Sequence, residues 1–150
     1  MRVNSAKELT VYDKAYGLSM RIFRLTEKFP TCEQYALIGQ MRRSSRSVCM
    51  NLREAWAKRR YEAHFVSKLT DCDGENSETD TSLDFACDCG YITPLDHKEL
   101  TTICAEVGRM LGGMLAKPKH SSLLTHDTDV RLLKSDHAQY HKSLRKRRPK

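Results

Sequence analysis

The chain has 150 residues, of which 39% are hydrophobic and 30% are charged, and its formal net charge is +7. This length is sufficient for one domain with a substantial core, without disulfides or a structural metal. The sequence has no run of about 18 apolar residues and no apolar segment at its N-terminus. It therefore predicts neither a membrane span nor a secretion signal, and we expect a cytoplasmic protein.

The first predicted helix occupies the stretch before Pro30. Ser5 and Glu8 have the spacing of a capping box, which marks a helix start. Apolar residues then recur in alternating steps of four and three, the pattern of one buried helical stripe. The predicted inward positions are Val11, Ala15, Leu18, Ile22, Leu25 and Phe29.

The second predicted helix follows another capping box, formed by Thr31 and Gln34. Small side chains at Ser44 and Ser45 would allow a neighbouring helix to approach closely in the middle of its stripe. The predicted inward positions are Leu37, Met41, Ser44, Val48, Leu52 and Ala55.

The third predicted helix covers about residues 61–89, and its stripe contains few large apolar groups. Gly90 predicts a left-handed cap at its C-terminal end, with Tyr91 as the apolar contact that accompanies such caps. The predicted inward positions are Phe65, Leu69, Cys72, Asn76, Thr79, Leu83 and Ala86.

The fourth predicted helix runs from about residue 96 to residue 116. Thr93 and Pro94 predict its cap and first helical position, and Pro118 stands beyond its end. The predicted inward positions are Leu100, Ile103, Val107, Met110 and Met114.

Four heptad-patterned helices joined by short links predict an all-α fold, an antiparallel up-and-down four-helix bundle over residues 1–117. Residues 118–150 are more polar and predict a weakly ordered, basic C-terminal tail. Residues 142–150 alone carry six positive charges.

The charge alternates in blocks along the chain. Lys and Arg outnumber Asp and Glu by thirteen to five in residues 1–60, whereas acidic residues lead by ten to two in residues 61–99. Residues 100–150 are basic again, with eleven positive against four negative side chains. Such asymmetry is typical of a nucleic-acid surface or of charge-matched contacts between helices or subunits.

The candidate nucleic-acid site combines the basic run of the second helix with the end of the tail. Arg46, Arg53 and Arg60 are seven residues apart, so a continuous helix would place them on one face. Arginine at this density suits phosphate, whose oxygens accept two hydrogen bonds from one guanidinium. The alternative is a solvated face, or pairing with the acidic third helix. The candidates are Arg42, Arg43, Arg46, Arg53, Lys58, Arg59, Arg60, Arg145, Lys146, Arg147 and Arg148.

Catalytic and metal-binding patterns are missing from the sequence. There is no glycine-rich phosphate loop, no nucleophile motif and no E-x-x-H pair of the kind that binds iron in helical bundles. The six cysteines form no C-x-x-C pair, so we expect free thiols packed as small hydrophobic groups. We therefore expect no enzyme activity, no cofactor and no metal site.

Several short motifs resemble the four-helix-bundle proteins encoded in intervening sequences of bacterial 23S ribosomal RNA genes. The resemblance covers about residues 8–117 and extends to the accessory variability proteins of diversity-generating retroelements. Ala55 and Ala57 depart from it, since the family has a glycine pair there, and the third helix is more acidic than the pattern. The matching motifs are Phe29-Pro30, Glu33, Gln40-Met41-Arg42-Arg43-Ser44, Ser47-Val48 and Asn51-Leu52-Arg53-Glu54.

This resemblance implies a homo-oligomer, typically a ring of five subunits, with a basic surface. It also implies a possible role beside a reverse transcriptase, because the retroelement relatives bind nucleic acid and that enzyme. The preferred hypothesis is thus a nucleic-acid-binding accessory protein that contacts the RNA or DNA backbone. The alternative is an oligomeric scaffold or adaptor that binds only protein partners.

Overall fold

The computed structural model describes residues 3–122 of the chain. This part has four long helices, one short helix and no strand, which confirms the prediction of an all-α fold with four long helices. Two 3-10 turns, Ala6–Glu8 and Thr31–Glu33, precede the first two long helices. None of the helices in residues 3–122 combines the length and apolarity needed to cross a membrane. The helices are α1 (Thr10–Thr26), α2 (Leu37–Ala57), α3 (Glu62–Asp88), α4 (Pro94–Ala116) and α5 (Pro118–Ser122).

The four long helices surround one core. Helix α1 packs against α2 and α4, and α3 packs against the same two helices. Contacts between neighbouring helices run in opposite order along the two partners: Lys14 of α1 forms an ion pair with Glu106 of α4, whereas the later Arg21 pairs with the earlier Glu99 at 2.9 Å.

The inward positions predicted from the heptad pattern line this core. All seven predicted positions of α3 are buried, including the polar Asn76 and Thr79. Four other predicted positions are only half-buried, although they pack against the core. They are Leu25, Leu37, Met110 and Met114.

The predicted start of the first helix is wrong by one short turn. Ser5 Oγ accepts the Lys7 N–H at 3.3 Å, but the turn that it caps is the 3-10 segment Ala6–Glu8. The backbone becomes extended at Leu9, so α1 begins at Thr10.

The second predicted capping box does not cap α2. The Pro30 carbonyl accepts the Glu33 N–H at 3.0 Å, which forms a separate 3-10 turn, and the backbone at Ala36 is not helical. The cap comes instead from the Glu33 carboxylate, which accepts the Leu37 N–H at 3.2 Å. Helix α2 therefore begins at Leu37, later than the box predicts.

The link between α3 and α4 has the predicted cap chemistry. Gly90 has a φ of +75°, the left-handed conformation that glycine adopts without strain. Its N–H and that of Tyr91 donate to Cys87 and Ala86, both at 2.9 Å, as in a Schellman cap. Thr93 Oγ1 then accepts a backbone N–H from the first turn of α4, which Pro94 begins.

A layer of polar side chains crosses the middle of the core. Ser44 of α2 and Thr79 of α3 share a buried hydrogen bond of 2.8 Å, and Asn76 Nδ2 donates to the Cys104 carbonyl of α4 at 2.9 Å. A Ser45–Ser19 hydrogen bond of 3.3 Å joins α2 to α1. A slip by one helical turn would leave these buried groups unpaired, so the layer favours one register.

The cysteines divide by location. All six are free thiols, but only Cys49, Cys72 and Cys104 are buried. Burial raises the pKa of each of these three thiols to about 12, so they remain neutral and pack as small hydrophobic groups. Cys32 and Cys89 are exposed, contrary to the expectation that all six would pack in the core.

Candidate nucleic-acid interface

Arg42 is held against α1 rather than presented to solvent. Its Nε donates to Thr26 Oγ1 at 2.8 Å, and the guanidinium lies 4.7 Å from the centroid of the Phe23 ring. Both interactions hold the Arg42 side chain against α1, so it stabilises the packing of α2 on α1. The structure therefore gives this predicted candidate a packing role.

Arg43 is neutralised by the acidic helix of the same chain. Its guanidinium donates to Glu75 at 3.1 Å and to Glu78 at 2.5 Å. These hydrogen bonds, the one to Glu78 most of all, raise the pKa of Arg43. The charge pairing that the sequence offered as an alternative thus occurs here, within a single chain.

Arg46 and Arg53 lie on the solvent-exposed side of α2. Arg46 reaches the Phe23 ring at 5.9 Å, and Arg53 donates to Ser5 Oγ at 2.7 Å. Both side chains remain exposed, and neither forms an ion pair within residues 3–122. Their guanidinium groups are therefore available to an external anion.

The remaining basic residues of this run lie beyond α2, so the prediction that Arg60 shares its helical face is wrong. The helix ends at Ala57. A turn over residues 58–61 separates α2 from α3, and the Tyr61 N–H donates to the Lys58 carbonyl within it at 3.0 Å. Trp56 before the turn and Phe65 after it are both buried.

Within this turn the three cations differ in their surroundings. Arg59 donates to the Trp56 carbonyl at 2.8 Å, and its guanidinium lies 4.6 Å from the Trp56 ring centroid. Lys58 and Arg60 are exposed, and neither forms an ion pair in the described chain. The turn therefore presents two available cations beside one that is stacked on an aromatic ring.

Helix α5 adds cations to the same end of the bundle. The α3–α4 contacts run in reverse order, with Asn76 against Cys104 and Asp84 against His97. The end of α4 therefore lies beside the start of α3, and α5 packs against both helices there. Arg53 donates a hydrogen bond to Ser5 Oγ, which places the N-terminal 3-10 turn Ala6–Glu8 at this end as well. We call this region the basic end; its cations are Lys7, Arg53, Lys58, Arg59, Arg60, Lys117 and Lys119.

The opposite end carries acidic side chains on both sides of the α3–α4 turn. Asp88 is the last residue of α3, Asp96 lies in the first turn of α4, and Asp84 contacts His97 at 2.6 Å. Burial and the neighbouring Asp84 charge raise the pKa of Asp80. The four tail candidates, Arg145, Lys146, Arg147 and Arg148, lie outside the described residues. Within residues 3–122, no group of three His, Cys, Asp or Glu side chains could hold a metal ion.

A family model described as 23S rRNA-intervening sequence protein matches residues 7–113. The chain belongs to this family. A protein of unknown function from the S23 ribosomal protein family of Bacteroides thetaiotaomicron has a similar crystal structure, with a TM-score of 0.65 and 25% sequence identity. That match covers 71% of this chain and 96% of the other. No curated protein matches the sequence significantly.

The family match includes the α2–α3 turn with Lys58 and Arg60, whereas α5 lies beyond it. Sequence reasoning missed Lys7, Lys117 and Lys119, because only the folded chain brings these separate segments to the basic end. It also missed the aromatic rings of α1 beside the α2 arginines. The alternation of Tyr12, Tyr16 and Phe23 in steps of four and seven is visible in the sequence and could have revealed that stripe.

Proposed function

We propose that this protein is a nucleic-acid-binding accessory protein, which contacts the phosphate backbone through the basic end and the solvent-exposed side of α2. The bundle is antiparallel and up-and-down, as the reversed order of the cross-helix contacts supports. Subunits assemble into a homo-oligomeric ring of five, as the family resemblance implies. The ring assists a reverse transcriptase by holding its nucleic acid.

One observation carries this proposal: ion pairs neutralise only part of the basic run formed by α2 and the turn that follows it. Arg43 is bound by two glutamates, whereas Arg46, Lys58 and Arg60 are exposed and form no ion pair within residues 3–122. Uncompensated, exposed cations repel one another, and a phosphate backbone relieves that repulsion while releasing counterions. The tail residues Arg145–Arg148 would add to the same polyanion contact.

A ring strengthens such a contact without any new type of interaction. Each subunit would present one basic end, and binding at one subunit raises the effective concentration of the strand at the next. Most phosphate contacts carry no sequence information, so we expect weak discrimination among sequences. This behaviour suits a protein that holds a strand for another enzyme.

The test compares two doubly reversed variants with the same change in charge. Lys58→Glu/Arg60→Glu alters the basic end, and Arg24→Glu/Lys28→Glu alters exposed cations near the opposite end of α1. Binding to mixed-sequence RNA and DNA is measured by fluorescence anisotropy across a salt series. We expect the first variant to bind roughly tenfold or more weakly, and the slope of log affinity against log salt concentration to fall in magnitude by roughly 1.5. The second variant should keep most of its affinity and most of its salt dependence.

Light scattering after gel filtration accompanies each binding measurement, with and without nucleic acid. A five-subunit mass that increases with RNA or DNA supports the proposal. Equal losses in the two variants would show a non-specific charge effect, and a wild-type ring that ignores nucleic acid at low salt would contradict the proposal.

The second candidate, a scaffold that binds only protein, is favoured by apolar side chains at the opposite end of the bundle. Phe85 and Leu95 are 61% and 65% exposed, and they flank the α3–α4 turn. Exposed aromatic and aliphatic groups are typical of protein interfaces. Phe85→Ser should then abolish binding of a protein partner without changing nucleic-acid affinity, as measured by co-purification and anisotropy.

A further inference from the structure

The exposed face between α1 and α2 carries a pair of stacked tyrosines. The ring centroids of Tyr12 and Tyr16 are 6.1 Å apart, and their planes differ by 19°. Tyr12 is half-buried, whereas Tyr16 is 55% exposed. Tyr16 is therefore the more accessible ring of the pair, and the nearly parallel ring of Tyr12 lies beside it.

Arginines flank this tyrosine pair on the adjoining helix. Arg53 donates to Ser5 Oγ at 2.7 Å, which holds its guanidinium beside the turn that precedes α1. Its positive charge opposes the rise that burial causes in the pKa of Tyr12. Arg46, earlier in α2, lies 5.9 Å from the centroid of the Phe23 ring of α1. These two arginines are seven residues apart, or about 10.5 Å along the helix axis.

An apolar side chain completes the surface. Met50 lies between Arg46 and Arg53 in the sequence of α2 and is 64% exposed. Positions four and three residues apart share a helical face, so Arg46, Met50 and Arg53 form one exposed stripe. This stripe alternates cationic, apolar and cationic groups on the helix that packs against α1.

Aromatic rings interleaved with cations match the chemistry of an unpaired nucleotide. A base has a flat apolar face that stacks on an aromatic side chain, and the adjoining phosphates attract arginine. A duplex cannot use the same surface, because its bases are already stacked on each other. The arrangement therefore favours single strands over double helices, which phosphate contacts alone would not do.

We propose that the face formed by Tyr12, Tyr16, Arg46, Met50 and Arg53 binds single-stranded RNA or DNA, with one unpaired base stacked on Tyr16. Arg46 and Arg53 contact phosphates on either side of that base, and Met50 packs against its edge or sugar. This inference rests on the proposed function and adds the form of nucleic acid that the protein prefers.

The experiment uses the full-length chain and alters only the exposed ring of Tyr16. Tyr16→Leu removes the stacking surface but keeps an apolar side chain, and Tyr16→Phe keeps the ring. Tyr35→Leu is the matched control, because Tyr35 is 98% exposed and lies at the other end of the bundle. The probes are a mixed-sequence single strand, an abasic strand of the same length and the corresponding duplex, all compared at one salt concentration.

We expect Tyr16→Leu to weaken binding of the base-containing single strand by roughly fivefold or more, as for loss of one stacked base. Affinity for the abasic strand should stay unchanged, and Tyr16→Phe and Tyr35→Leu should behave as the unaltered protein does. Tyrosine fluorescence should also be quenched by the base-containing strand and much less so in Tyr16→Leu.

Unchanged single-strand affinity in Tyr16→Leu would overturn the inference, as would an equal loss on the abasic strand. A smaller oligomeric mass for Tyr16→Leu would also overturn it, since the face would then be an interface between copies of the chain. If binding depends on Lys58 and Arg60 but not on Tyr16, only this inference fails. If the unaltered protein binds none of the probes, the proposed function fails as well.

Discussion

Helices α2 and α3 pack side by side with similar buried stripes but opposite outward charge. Each buries one residue per helical turn or more, from Met41 to Ala55 in α2 and from Phe65 to Ala86 in α3. On the outside, α2 is rich in arginine, whereas α3 carries eight acidic side chains and one lysine between Glu62 and Asp88. The two helices thus share an inward pattern and differ in the charge of their outward residues.

The two helices meet through more than apolar packing. Arg43 binds Glu75 and Glu78, and Lys68 of α3 binds Glu54 of α2 at 2.9 Å. Within residues 3–122, Arg43 is the only arginine of α2 that forms an ion pair, whereas Arg46 and Arg53 remain exposed without one.

The largest expected effect tests the claim that the buried stripe of α3 controls the fold despite its polar middle. Leu69 is fully buried, so Leu69→Ala should lower the free energy of unfolding by about 2–5 kcal/mol, through lost burial and a residual cavity. Urea denaturation followed by circular dichroism measures this change. Leu95→Ala makes the same chemical change at an exposed position and should change the stability very little. Similar losses in both variants would contradict the burial argument.

A smaller effect tests the polar layer between the two helices. Thr79 Oγ1 donates to the Glu75 carbonyl at 2.9 Å, which leaves the Ser44 hydroxyl to donate to Thr79. Thr79→Val removes that acceptor inside the core and should lower the free energy of unfolding by about 1–2 kcal/mol.

The double-mutant cycle with Ser44→Ala identifies the cause. If the hydrogen bond couples the helices, the double variant should lose less stability than the sum of the single losses, by about 0.5–1 kcal/mol. Additive losses would show that Ser44 and Thr79 act separately.

The smallest expected effect concerns the neutralised arginine. Arg43 is half exposed, so Arg43→Gln should lower the free energy of unfolding by at most about 1 kcal/mol, and added salt should reduce the difference. Nucleic-acid affinity should hardly change, because the charge is already paired.

Arg46→Gln is the matched change on the solvent-exposed side of the same helix. It should leave the stability near that of the unaltered protein and weaken nucleic-acid binding, as measured by anisotropy. Equal binding losses for the two variants would remove the distinction between neutralised and exposed cations on α2.

The periodic spacing of apolar residues determined the four long helices and most of their buried positions. This spacing is a local property of the chain, and the caps at Gly90 and Thr93 depend only on nearby residues, so they could be predicted too. The starts of α1 and α2 could not, because extended backbone at Leu9 and a separate turn after Pro30 take the place of the predicted caps.

The location of the candidate site was decided by tertiary structure. Arg42 and Arg43 look equivalent in the sequence, yet neighbouring helices hold one against Phe23 and the other between two glutamates. Helices α5 and α3 are separated along the chain by α4 and come into contact only in the folded protein. The sequence by itself determined which residues are charged and which are buried. Only the packing of the helices decided which charges are neutralised and which remain exposed, because electrostatic pairing depends on distance in space.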